Sequence, residues 1–102
     1  MTPSVPAHTT VLPAPSTGPQ VEVYSTRACV YCWRAKDLLE RKGVPYVEID
    51  ATDPDVRARM VDRAGGQRTV PQIFVGGRHV GGANELAALE RAGGLDPLLR
   101  AG

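Results

Sequence analysis

Two β-prone runs joined by one helical stripe constrain this chain more than any other feature. Val21-Glu22-Val23-Tyr24-Ser25 and Tyr46-Val47-Glu48-Ile49-Asp50 are short and rich in β-branched and aromatic residues, as strands are. Between them a helix is expected over Val30–Lys42. Ala35, Leu38, Leu39 and Lys42 fall at i, i+3, i+4 and i+7, and the Lys42 stem extends the apolar stripe. Gly43 ends that helix as a C′ residue, with Pro45 two positions later. A strand–helix–strand unit of this length returns the chain to the same end of a sheet. The two strands therefore pair in parallel, with a right-handed crossover.

The rest of the chain continues the alternation. Thr52-Asp53-Pro54 opens a second helix, with a capping residue before a proline at the first turn. Val56, Met60, Val61 and Ala64 form its apolar side, and Gly65-Gly66 closes it. Gln72-Ile73-Phe74-Val75 reads as a third strand, Gly76-Gly77 as a hairpin turn and Arg78-His79-Val80 as a fourth strand. A last helix runs from Asn84 to about Arg91, and Leu95, Leu98 and Leu99 cover the core with a terminal turn. The order β-α-β-α-β-β-α predicts an α/β fold, a four-stranded mixed sheet flanked by helices.

With 102 residues the chain suits one domain. Its first 20 residues carry prolines at 3, 6, 13, 15 and 19 and no Lys or Arg, so they read as a disordered, polyproline-leaning tail rather than a secretory signal. The domain is then 21–102. Twelve basic and 11 acidic residues leave a net charge of +1, which gives no reason to expect a nucleic-acid or anionic-membrane partner. No apolar run approaches the roughly 18 residues of a membrane span. A cytoplasmic location is the expectation that follows.

The chain has two cysteines, Cys29 and Cys32. Secreted disulfide scaffolds of this size usually carry at least about four, and a bridge over three residues closes too short a loop to staple a fold. The pair sits where the first strand hands over to the first helix. Free N–H groups and the positive end of the helix dipole favour a thiolate at Cys29 there. Helical spacing puts Cys32 one turn below, close enough to form a disulfide and more buried. That asymmetry suits a nucleophile and a resolving thiol. Structural zinc needs about four ligands. Cys29 and Cys32 with His8 and His79 reach that number, but His8 is in the tail and His79 on a short strand, so no metal is expected.

Two further motifs accompany the pair. Arg68-Thr69-Val70-Pro71-Gln72 places a proline at the mouth of a strand, where a cis Val70–Pro71 bond would present the Val70 backbone to an extended peptide. Taken alone it is a turn. Gly81-Gly82-Ala83-Asn84-Glu85 lets a ligand approach the backbone at a helix start suited to a carboxylate, or is a plain turn with an N-cap at Asn84.

Together these residues resemble the glutaredoxin family, in particular small bacterial dithiol glutaredoxins. The resemblance runs from Val21 to about Leu99 through Cys29-x-Tyr31-Cys32, Arg34-Ala35-Lys36-x-Leu38-Leu39, Lys42-Gly43, Thr69-Val70-Pro71-Gln72-Ile73-Phe74, Gly81-Gly82 and Gly93-Gly94-Leu95. It implies a thioredoxin fold with a cis Pro71. It also implies a monomeric enzyme that reduces protein disulfides and protein–glutathione mixed disulfides, with glutathione as reductant and no tightly bound cofactor. Carried over by position, Tyr31 flanks the glutathione groove, beside Thr69 and Pro71. Val70 pairs with the cysteinyl unit. Gly82, Ala83, Asn84 and Glu85 hold the γ-glutamyl end, and Arg57 is a candidate for the glycyl carboxylate. The chain departs from the family in three places. Val30 replaces a proline and restores an N–H beside the nucleophile. Thr26 stands where a lysine is usual, leaving Arg27 as the nearby cation. Ala83-Asn84-Glu85 lacks the usual aspartate. Two alternatives stay open: a redoxin recycled by thioredoxin reductase or another small thiol, and an iron–sulfur scaffold in which Cys29 from two chains and two glutathiones hold a cluster.

Overall fold

The computed structural model describes residues 9–11 and 19–100. The strands are β1 Thr9–Val11, β2 Val21–Ser25, β3 Val47–Asp50, β4 Gln72–Val75 and β5 Arg78–Gly81. The helices are α1 Val30–Arg41, α2 Pro54–Arg63, α3 Ala83–Arg91 and α4 Leu95–Arg100. β2 lies between β3 and β4. It pairs in parallel with β3 and antiparallel with β4, and β5 pairs antiparallel with β4. This is the four-stranded mixed sheet that the sequence pattern predicts.

Two features differ from the expectation. β1 adds antiparallel to the outer edge of β3, Thr9 opposite Ile49 and Val11 opposite Val47, so part of the segment read as a disordered tail pairs with the sheet. Residues 1–8 and 12–18, including His8, lie outside the described residues. The terminal leucines form a helix, α4, rather than a turn.

Strand alternation divides the interior in two. Val21 and Val23 of β2, with Ile73 and Val75 of β4, face α1, α3 and α4 and pack with Ala35, Leu39, Leu86 and Leu95. Tyr24 and Phe74 point the other way, to Val56 and Met60 of α2 and to Ala64 at its C-cap. Tyr24 meets Phe74 edge-on, with ring centroids 5.7 Å apart. The Arg63 guanidinium, 4.1 Å from the Phe74 ring centroid, bonds the Tyr24 hydroxyl at 2.9 Å and pairs with Glu22 at 2.9 Å.

Helix ends follow local chemistry. Asp53 caps α2 by accepting from the Asp55 and Val56 N–H groups at 2.8 and 3.3 Å, with Pro54 in the first turn. Gly76 and Gly77, with φ of 59° and 82°, make the mirror-image turn that a two-residue hairpin needs. Leu39 is fully buried in the larger core. Leu39→Ala is therefore expected to lower unfolding stability by about 2–5 kcal/mol, read as a lower urea midpoint with an unchanged slope.

Candidate active site

The loop after β2 delivers Cys29 to the N-cap of α1 with extended backbone, φ −122° and ψ 106°. Its Sγ accepts from the Cys32 N–H at 3.1 Å, so sulfur takes the place that Ser, Thr, Asp or Asn oxygen usually holds. Negative charge on that sulfur lies at the positive end of a 12-residue helix. The Cys29 thiol also donates to the Val70 carbonyl at 3.6 Å. Both cysteines are free thiols.

The two sulfurs differ as their spacing predicts. Cys29 is half-buried, and Cys32 is 1% exposed. Burial above all pushes the Cys32 thiol up to about 12. A hydrogen bond with Cys29 and the charge of Cys29 add to the rise, while a Thr26 backbone hydrogen bond and the Lys36 charge oppose it. Cys32 is therefore a protonated thiol at neutral pH.

The remaining predicted residues converge on Cys29 to different degrees. The Val70–Pro71 bond is cis, and the Val70 carbonyl is in contact with the Cys29 thiol. Gly82 packs beside this segment, since a Cβ placed there would lie 3.4 Å from the Pro71 carbonyl oxygen. Cys29, Val70, Pro71 and Gly82 thus form one continuous wall. Tyr31 is 53% exposed beside the pair, with the Arg34 guanidinium 5.6 Å from its ring centroid. Thr69 is exposed and accepts from the Gln72 side-chain amide through its carbonyl and hydroxyl, at 3.0 and 3.3 Å. Arg27 is exposed in the approach loop. Ala83 and Asn84 open α3 behind Gly82.

Other placements correct the sequence reading. Gly82, not Asn84, is the N-cap of α3. The Glu85 carboxylate accepts from the Gly82 N–H at 2.8 Å, so it caps its own helix. The Arg57 guanidinium bonds the Arg68 carbonyl at 3.0 Å and the Ala51 carbonyl at 3.5 Å, which ties α2 to the loop before Thr69. The Cys29 sulfur takes its backbone hydrogen bond from the Cys32 N–H, not from Val30. His79 is occupied with Gln72 at 2.6 Å and lies against Phe74. Among the described residues no three metal-ligating side chains cluster, and no helix is long and apolar enough to cross a membrane.

Sequence reasoning passed over two neighbours of the pair. Trp33 follows Cys32 directly and is 63% exposed, on the same turn as exposed Val30 and Tyr31. Lys36 forms a 2.7 Å ion pair with Glu48 of β3, and the Ser25 hydroxyl at the end of β2 donates to the same Glu48 oxygen at 2.6 Å. Helical spacing from Cys32 to Lys36 was available as a signal, but Glu48 is brought in only by the parallel register of β2 and β3.

The glutaredoxin family model matches residues 21–80, from the first residue of β2 to β5, with both cysteines inside the match. The chain belongs to the glutaredoxin family. A Pseudomonas aeruginosa glutaredoxin is 54% identical over 84 residues, 81% of this chain and 99% of that protein. The solution structure of a Brucella melitensis glutaredoxin superposes with a TM-score of 0.74 at 49% identity, over 85% of this chain and 95% of that one. A buckwheat glutaredoxin–glutathione complex superposes with a TM-score of 0.72 at 35% identity, over 79% of this chain and 76% of that one. Glutaredoxins are thioredoxin-fold thiol–disulfide oxidoreductases, and this glutaredoxin carries the fold and the cysteine pair of that activity.

The contrast between the sulfurs has a direct readout. Iodoacetamide at about pH 7.5 should label Cys29 and spare Cys32, as mapped by peptide mass spectrometry. Labelling of Cys32 first contradicts the geometry. Stability carries the same signature. The folded Cys32 keeps its proton from its ordinary 9.0 up to about 12, whereas the unfolded chain loses it near 9. Its contribution is full below about pH 9 and disappears as pH rises toward 12. The Tyr46 phenol, raised by burial and by its bond to Glu40, acts with the same sign at higher pH. Thermal melts should decline above about pH 9, and less steeply in Cys32→Ser.

Proposed function

We propose that the protein is a glutathione-dependent oxidoreductase that reduces protein disulfides and protein–glutathione mixed disulfides, with Cys29 as nucleophile and Cys32 as resolving thiol. The observation that carries this reading is the capped, half-buried Cys29 sulfur above a buried, protonated Cys32. With a glutathionylated protein, the Cys29 thiolate attacks the glutathione sulfur. The protein thiolate leaves and takes up a proton. A second glutathione thiolate attacks the same glutathione sulfur, forming glutathione disulfide and regenerating the Cys29 thiolate. With a protein disulfide, Cys29 forms a mixed disulfide, Cys32 displaces the substrate sulfur, and two glutathiones then reduce the Cys29–Cys32 bond. Both routes move two electrons from glutathione to substrate. Family potentials of about −200 to −230 mV lie close to that of cytosolic glutathione, so the direction follows supply.

The wall of Cys29, Val70, Pro71 and Gly82 is the proposed glutathione groove, supported by the glutathione bound to the buckwheat relative. Val70 offers its backbone to the cysteinyl unit. Tyr31 and Thr69 flank the groove, and Arg27 and Arg57 supply positive charge. The N–H groups of Ala83 and Asn84, at the start of α3, suit the γ-glutamyl carboxylate, while Glu85 fixes the turn that presents them. The partners are glutathione and disulfide-bearing or glutathionylated proteins, met by a monomer in the cytoplasm. Residues 21–102 are the working domain.

Cys29→Ser should abolish both reactions. Cys32→Ser should keep deglutathionylation and lose reduction of protein disulfides. Turnover with glutathione and glutathione reductase, compared with thioredoxin reductase, measures both. Equal loss in the two variants would overturn the assignment of roles, and turnover with thioredoxin reductase alone would remove glutathione from it.

A further inference from the structure

Resolution of a mixed disulfide requires Cys32 to react as a thiolate, yet its sulfur is the more buried of the pair. Burial opposes that charge. Lys36 lies one turn further along α1, at i+4, on the same helix face. Its ammonium is fixed in place, because Glu48 Oε2 accepts from Lys36 Nζ at 2.7 Å and from the Ser25 hydroxyl at 2.6 Å. α1, β3 and β2 each contribute one member of the cluster. Ser25 is 2% exposed, and the Lys36 and Glu48 side chains are about three-quarters buried, at 24% and 25% exposure. Desolvating such a pair removes much of its Coulombic gain, so stability is a weak reason for it to be there. Burial alone would raise the Glu48 carboxyl, but the Lys36 ammonium and the Ser25 hydroxyl outweigh it and hold the group below its usual range. The carboxylate is charged at neutral pH and keeps the ammonium paired.

We propose that Lys36, held by Glu48 and Ser25, stabilises the Cys32 thiolate in the resolving step and is a positioning residue for the dithiol reaction. The proposal rests on the division of roles between Cys29 and Cys32 given above. In that step the Cys32 S–H proton passes to water and a Cys32–Cys29 S–S bond forms. The bond from Cys29 to the substrate sulfur breaks, and that sulfur leaves with the electron pair and takes a proton from water. Lys36 acts through its fixed charge and exchanges no proton.

The surroundings of Cys32 change in its favour at that moment. In the free enzyme the charge and hydrogen bond of Cys29 work against a Cys32 thiolate. Once Cys29 is tied in a mixed disulfide it carries neither charge nor proton, and that opposition is gone. The groups then acting on Cys32 are the Lys36 charge from α1 and the Thr26 backbone hydrogen bond from the approach loop, both of which favour the thiolate. β3 contributes Glu48 and Asp50, with Asp50 acting on Glu48, and β2 contributes the Ser25 hydroxyl.

The test isolates resolution. Cys29 is loaded with 2-nitro-5-thiobenzoate as a mixed disulfide, and release of the coloured thiol is followed by stopped flow between about pH 6 and 10. Lys36→Met keeps the apolar stem and removes the charge. If the Cys32 pKa rises by about one unit, the thiolate fraction falls tenfold and higher nucleophilicity returns about threefold. Release should then slow about threefold at neutral pH, with the profile displaced upward by about one unit. Lys36→Arg should restore both. Because Lys36→Met leaves Glu48 unpaired, the double variant Lys36→Met/Glu48→Gln guards against a folding defect and should show the same displacement. Unchanged profiles in the single and double variants overturn the proposal, as does slowing that Lys36→Arg does not rescue. Release from Cys32→Ser as fast as from the unaltered protein would instead overturn the role of Cys32 itself.

Discussion

The 3.1 Å hydrogen bond from the Cys32 N–H to the Cys29 sulfur joins folding to chemistry. A helix start needs an acceptor for its unpaired N–H groups, and here the acceptor is the reactive atom. The same bond sets the orientation of the first turn, and with it the depth difference between the two thiols. Two neighbours brace that turn. β2 is the strand before it, and its central position, flanked by β3 and β4, makes it the best-braced strand of the sheet. The Val70 carbonyl closes the other side of the sulfur. A serine at position 29 could cap the helix equally well, which separates the structural role of this position from its chemical one.

Much of this was legible in the sequence because it is written in local periodicity. The bounds of β2 and β4, the Asp53 cap, the Gly43 stop and the Gly76-Gly77 turn each follow from a few neighbouring residues. The cysteine pair was legible for the same reason, since its spacing and its place at a strand–helix junction are both local. The assignment of faces was implicit too: Val21 and Val23 had to lie opposite Tyr24 on a strand.

The rest depends on residues that only the folded chain brings together. Glu48 meets Ser25 and Lys36 because β3 docks in parallel beside β2 in one register. A shift of one residue would turn Glu48 to the other face. Arg57 looked like a free cation near the groove. It also binds two backbone carbonyls, because α2 crosses close to the Arg68 loop. Glu85, read as a ligand contact, also caps its own helix, because the Gly82 N–H lies within its reach three residues back. In each case the chain's own polar groups hold the side chain in a way that local sequence does not show. β1 is a further instance, because nothing in a Pro-rich segment names the strand edge it joins.

Lys42 closes α1 at the end remote from the cysteines, its ammonium 3.0 Å from Glu90 of α3 and 2.8 Å from Asp96 of α4. The helix is thus tethered at its C-terminal turn and packed along Ala35 and Leu39, while Val30, Tyr31 and Trp33 leave its opening turn bare to solvent. Fraying therefore enters α1 from one side. Amide protons near Leu39 are therefore expected to exchange slowly, by global unfolding, and those of the first turn faster, through local opening. The chemistry is carried on the soft end of an otherwise rigid rod. Motion needed to bring the Cys32 sulfur up to Cys29 can take place there without loosening the core beneath it.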